Sequence, residues 1–316
     1  MAKPIRIIGA GLAGLIAACH FQDAEIQEAG PVKATHKALL RFRDKGVSAL
    51  TGIPFKEVTV RKAIYGIDGL VSECTIPLAN QYARKVTGTL SSRSIWSLES
   101  VQRYIAPDDF YDQLVERHAG RIYPNQPVTK ISEADKALYS TISTAPLPVI
   151  LAAAGMEAPQ LKLDRAAINV ARFRVPNCDV YQTVYFPAPH LRVFRASITG
   201  DILIVESVAY ENAPPSAHMS DEAELSTILY AFGIGDMRDD LEPLEKVNQK
   251  YGKIVPLPSD QRHAILYELT TRFGVYSLGR FATWRNILLD DVAQDIVTVD
   301  RLVNASDYGR LHLLSK

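Results

Sequence analysis

Three glycines at positions 9, 11 and 14 and an acid at position 28 have the types and spacing to do chemistry. In a GxGxxG run, Gly9 suits a tight turn, Gly11 lets backbone approach a pyrophosphate, and Gly14 lets a helix pack closely on a strand. Ala10, Leu12 and Ala13 stand between them, where main-chain amides at a helix start attract phosphate. Glu28, with Ala29 beside it, follows at the distance where a carboxylate accepts hydrogen bonds from a ribose hydroxyl. A second anion on that ribose would be repelled, which argues against a 2′-phosphate. These residues leave NAD and FAD both open.

The motif needs a strand, a helix and a second strand to position it. "IRIIGAG" is a β-branched run ending at glycine, "LAGLIAACHF" a helix of small and apolar residues, and "AEIQEAG" a short strand closed by Glu28. The regular strand and helix alternation of an NAD domain does not continue. Instead a basic loop or helix leads to an extended segment. A helical pattern over "PDDFYDQLVERHAG" and a strand around Val128 come next, then a strand running into Thr144. Between about Ala167 and Val208 four β-like runs separated by turn residues predict an antiparallel meander. A helix capped by Ser220 or Asp221 follows, and the chain closes with a strand, a glycine turn and a helix carrying Val292, Ile296, Val299 and Val303 at helical spacing.

With 316 residues the chain is long enough for two domains, and its 35 basic against 35 acidic residues exclude a polyelectrolyte binder. Charge is local. Residues 33–62 hold eight Lys or Arg against two acids, and residues 221–245 hold eight acids against Arg238 alone, so these segments are either solvated faces or surfaces for phosphate and an acidic substrate. Cys19, Cys74 and Cys178 match no metal spacing, and their odd count predicts a reducing, cytoplasmic setting with no metal. The short, glycine-rich apolar start predicts neither a signal peptide nor a membrane span. Four side chains are candidates for catalysis: His36 as a base or attachment point, Tyr185 and Trp284 as aromatic walls, and Arg195 on the predicted sheet. Strand alternation puts Arg195 on the face opposite His190 and Arg192.

"GAGLAG" with Glu28, "STISTAPLPV", and "YSLGRFATWRNILLDD" together resemble FAD flavoproteins of the UDP-galactopyranose mutase, protoporphyrinogen oxidase and amine oxidase group. The resemblance implies an α/β fold: a discontinuous Rossmann-like FAD-binding domain (residues 1–60, 98–155 and 262–316) with an inserted antiparallel-sheet substrate domain (61–97 and 156–261). It implies Gly279 and Arg280 near the pyrophosphate and the helix start at Asp290, Asp291 and Val292 under the flavin's pyrimidine edge. Val128, Thr144 and Arg41 complete the implied cofactor set. The double-glycine arginine motif of amine oxidases is absent after Glu28, where "THKALLRFR" stands, so no substrate residue is carried over. The implied activity is oxidation of a C–H bond next to an amine, the alternatives being a redox-neutral reduced-flavin enzyme like the mutases and a non-catalytic flavin binder. No second GxGxxG serves an NAD(P)H domain, so electrons come from substrate or an external donor. The compact length, "HKALLRFR" and "GRFATWR" also resemble small bacteriophage flavoproteins from clusters that hypermodify thymine, which implies an aminoacyl-modified nucleobase in DNA as partner in place of a small-molecule amine.

Overall fold

The structure is a computed structural model that describes residues 3–33, 40–88, 90, 95–157, 161–209, 220–306 and 309–310. Two sheets carry it. The smaller is fully parallel, in the order Val275–Ser277, Ser140–Ser143, Ile5–Ile8, Glu25–Gln27, Ile122–Tyr123. Ser140–Ser143 is buried along its whole length, and so are Ile7 and Ile8 of the neighbouring strand, as a parallel sheet covered on both faces requires. Helix Leu12–His20 packs its Leu15 and Ile16 into the same core as Val292, Ile296 and Val299 of helix Leu289–Asn304, so these two helices share one layer.

The larger sheet runs Glu242–Ile254, Arg165–Arg174, Ile202–Val208, Val193–Gly200, Val180–Tyr185, Lys56–Gly66, Val101–Ile105, Arg41–Phe42. Its pairings are antiparallel except the junction of Val180–Tyr185 with Lys56–Gly66, which is parallel. The predicted meander is therefore only partly realised. The last three runs pair in sequence, while Arg165–Arg174 pairs with Ile202–Val208 because Lys56–Gly66 occupies the free edge of Val180–Tyr185. Lys56–Gly66 runs across the expected 60/61 division, and Arg41–Phe42 and Val101–Ile105 lie in this sheet. Val128 is not in a strand. Asn125 turns the chain at φ 57°, and pairing ends at Ile122–Tyr123.

Ser220 wins the cap of helix Asp221–Ala231, its hydroxyl accepting from the Ala223 amide at 3.3 Å. The acidic segment this helix opens pairs with Arg192, Arg172 and Arg174; among the described residues it makes no ion pair with the basic segment 33–62. Lys85, on helix Ile76–Thr87, is buried, and its ammonium donates to the carbonyls of Phe186, Ala188 and Val193 at 2.7, 2.8 and 2.6 Å. That staple ties the helix to the turn ahead of Val193–Gly200. Beneath helix Leu12–His20, His118 is 2% exposed, with Arg121 donating to its Nδ1 at 2.8 Å. Burial, and next the Arg121 charge, lower its pKa to about 4. Cys19, Cys74 and Cys178 are all free.

Candidate functional site

The glycines divide their labour as the spacing predicts. Gly9 turns at φ +103°, where an added Cβ would come within 2.6 Å of the Thr144 hydroxyl; at Gly14 it would lie 2.0 Å from the Gly9 carbonyl oxygen. Neither site has room for a side chain. Gly11 has ordinary dihedrals and nothing within 4 Å of an added Cβ, and it faces a cavity. Thr144 closes the turn from the neighbouring strand end, its hydroxyl donating to the Ile8 carbonyl at 2.9 Å. The Glu28 carboxylate accepts from the amides of Ala10 at 2.7 Å and Gly30 at 3.2 Å, which fixes its position at the mouth of the loop. Gly279, at φ +91°, brings the C-terminal turn so close that its Cβ would stand 3.1 Å from that of Ala13.

The cavity lies between the two sheets and measures about 960 Å³, near the upper end of the ~300 to 1,000 Å³ usual for small-molecule and cofactor sites. Of the sixteen residues expected at a cofactor from the motif and the resemblance together, all but Gly14 and Gly279 line it, and those two pack just behind. Asp290 and Asp291 do not compete for one role. Asp290 is buried and accepts from the Arg43 amide at 2.8 Å and its Nε at 3.4 Å, while Asp291 pairs with the Arg43 guanidinium and accepts from the Leu288 amide at 2.8 Å. Burial would raise the Asp291 pKa, but the Leu288 amide and Arg43 outweigh it and hold it below the usual range. Together the two acids clamp the Arg41–Phe42 strand end to the start of helix Leu289–Asn304. Arg280 donates to the Ile287 carbonyl at 2.8 and 2.9 Å and closes the intervening loop.

The opposite wall is built from rungs across the larger sheet. Tyr185, Arg195 and Glu206 stand opposite one another on three adjacent strands, and Thr183, Ser197 and Ile204 form the next cavity-lining rung. Glu206 is 3% exposed, pairs with Arg195, and has Lys253 Nζ at 3.9 Å. Burial alone would lower the Arg195 pKa, yet the Glu206 charge raises it. Arg41 reaches across to this wall: its guanidinium donates to Thr183 at 2.7 Å, to Thr199, and to the Ile198 carbonyl at 2.8 Å. Burial first, then the neighbouring Arg195 charge, lower its pKa to about 9. Tyr82 meets Tyr185 edge to face at 5.5 Å, and Lys62 and Arg103 complete the cationic lining.

Of the four catalytic candidates, Tyr185 and Arg195 line the cavity. Trp284 does not: it is fully buried in the core with Leu147, Ile150 and Leu269, because a left-handed turn at φ 47° directs the chain inward there. His36 lies outside the described residues. Sequence reasoning placed Lys62 in the basic segment 33–62 and missed Tyr82, Arg103, Glu206 and Lys253. Glu206 left a signal, a lone acid inside the apolar run "DILIVESVA", where burial of a carboxylate demands a cationic partner.

No protein-family profile and no curated protein matches the chain. Solved structures do. A reduced UDP-galactopyranose mutase superposes with a TM-score of 0.66 at 13% identity, covering 99% of this chain and 97% of that one. A protein from an Exiguobacterium strain provisionally assigned as a protoporphyrinogen oxidase gives 0.59 at 14% identity, over 96% and 99% of the two chains. Putrescine oxidase bound to putrescine gives 0.56 at 11% identity, over 94% and 99%. The fold is that of FAD-binding oxidoreductases. Both sheets take part in the likeness, since it spans nearly the whole of each chain.

Proposed function

We propose that this chain is an FAD-dependent oxidoreductase that oxidises a C–H bond next to an amine. The observation that carries the cofactor is Gly11: of the motif's three glycines it alone turns its missing Cβ toward open cavity, the cradle a pyrophosphate requires. The first-turn amides of helix Leu12–His20 have no intrahelical acceptor and suit the phosphates, and Glu28 keeps lone pairs for a ribose hydroxyl. Bound there, FAD would supply the hydride acceptor, so no nucleophile or metal is needed from the protein. The chain's own side chains orient the substrate and exclude water, with Tyr82 and Tyr185 as aromatic walls. The amine reading is supported by the whole-chain likeness to putrescine oxidase. Its finer form takes a glycyl-type adduct on thymine in DNA as substrate: the glycyl α-carbon would lose a hydride and the nitrogen its proton to form C=N, and addition of water there would release the aminomethyl base and glyoxylate.

The purified protein is expected to be yellow, to release FAD on denaturation, and to bleach anaerobically with an amine. A folded, colourless protein that takes up NAD instead would overturn the cofactor, and a flavoprotein bleached by no amine would overturn the substrate class. The likeness to a reduced mutase favours a second reading, redox-neutral chemistry, for which turnover requires prior reduction of the flavin. Digestion and nucleoside mass analysis of aminoacyl-modified DNA after incubation tests the finer form.

A further inference from the structure

The charges that line the cavity are divided unequally between its two sides. On the nucleotide side Lys33, Arg43 and Arg280 stand against Glu28, Asp290 and Asp291, three cations to three carboxylates. On the sheet side, among the described residues, Arg41, Lys62, Arg103, Arg195 and Lys253 stand against Glu206 alone, a surplus of four. We propose that the sheet side is a subsite for an acid group, carboxylate or phosphate, carried by the amine substrate; the proposal rests on the amine-oxidation reading and names its substrate class.

Gathering like charges on a half-buried wall raises the free energy of the protein unless an anion joins them. A pyrophosphate on the glycine loop would sit on the side that is already balanced. The wall is also held in advance of any ligand. Arg195 is braced by Glu206, Arg41 by Thr183, Thr199 and the Ile198 carbonyl, and Lys253 lies 5.0 Å over the Phe194 ring. A preorganised set of guanidinium groups recognises a planar acid without further ordering cost.

The same surplus acts on the amine. It would disfavour a substrate ammonium and favour the neutral form, whose lone pair would become the second bond of C=N as the carbon loses its hydride. The nitrogen proton leaves to water. A substrate with a second ammonium and no acid is repelled. Acid-bearing amines are therefore selected over plain amines and diamines of similar length.

Anaerobic stopped-flow reduction of the holoprotein with β-alanine, phosphoethanolamine, propylamine and putrescine tests this. At least one acid-bearing amine is expected to exceed propylamine in reduction efficiency by about tenfold or more, with putrescine slowest. Whichever of β-alanine and phosphoethanolamine leads identifies the acid as carboxylate or phosphate. Arg103→Gln, and Lys62→Gln should the first variant fold poorly, is expected to cut the ratio of acid-bearing amine to propylamine by about tenfold. A parallel titration of holoprotein and apoprotein with glycolate and with inorganic phosphate, by calorimetry, reads the subsite without turnover. Binding of either anion that weakens in Arg103→Gln, with no bleaching by any amine, keeps the subsite and discards amine oxidation. Propylamine or putrescine matching the acid-bearing amines, or no binding of either anion, overturns the subsite.

Discussion

The two sides of the cavity are made of different materials. Around the glycine loop the surface offered is mostly backbone: amides of a helix start, a turn that tolerates no Cβ at Gly9, and a carboxylate held by two main-chain donors. Across from it the surface is made of charged and aromatic side chains, set on strands that the topology gathers from distant parts of the chain. A backbone site tolerates little substitution because its geometry is the fold, whereas a side-chain site can be rewritten one residue at a time. The difference between them can be pressed by experiment.

The largest effect is expected at Gly14. Its valine variant would force a Cβ to 2.0 Å from the Gly9 carbonyl oxygen, a backbone atom that cannot swing aside. Gly14→Val should lose about 3 kcal/mol or more of stability, read as a shifted or vanished urea transition. Glu206→Gln tests the other side. Removing the carboxylate that braces Arg195 and neighbours Lys253 leaves the cationic wall unopposed, and should cost about 3 kcal/mol. Added phosphate should recover part of the melting temperature in this variant, and an unmoved melting temperature would mean that the wall's charges do not act together.

A third effect lies beneath the nucleotide side. His118 is held at about 4 against an ordinary 6.5, so the unfolded chain takes up a proton first as pH falls. Stability carries no penalty from this residue above pH 6.5, declines between 6.5 and about 4, and is level below that, a total of at most about 3 kcal/mol. The decline should be shallower in His118→Gln, and parallel urea midpoints for the two proteins across that window would show that His118 does not drive it. The smallest change in stability is expected from Gly11→Ala, no more than about 1 kcal/mol for a helix N-cap position with open space beyond it. Its FAD affinity should nevertheless fall by about tenfold or more. Equal retention of flavin by Gly11→Ala and wild type would detach the glycine loop from the cofactor.

This contrast also explains what could be read from the sequence. Gly9, Gly11, Gly14 and Glu28 announce themselves because a backbone device needs particular residues at short, fixed spacing. The C-terminal "GRFATWRNILLDD" was legible as a region but not residue by residue: Asp290 and Asp291 turn out to share the work of holding Arg43, and Trp284 points into the core. The Tyr185, Arg195 and Glu206 rung had no local signature, since it exists only once three strands find their register. Register is a tertiary property. The strand expected at Val128 failed for a local reason, a left-handed Asn125 that ends the pairing early.

The parallel junction between Lys56–Gly66 and Val180–Tyr185 has a consequence for how the chain reaches this state. Lys62 finds its partner Thr183 only after the intervening segments have been made, and the Ile5–Ile8 strand likewise waits for Ser140–Ser143, which in turn waits for Val275–Ser277. Neither sheet can close on local contacts, and loop-closure entropy must be met before either is rewarded. Folding is accordingly expected to be slow: the glycine loop is made before the Ser140–Ser143 strand it rests against, and apolar strand edges stay exposed in the interval.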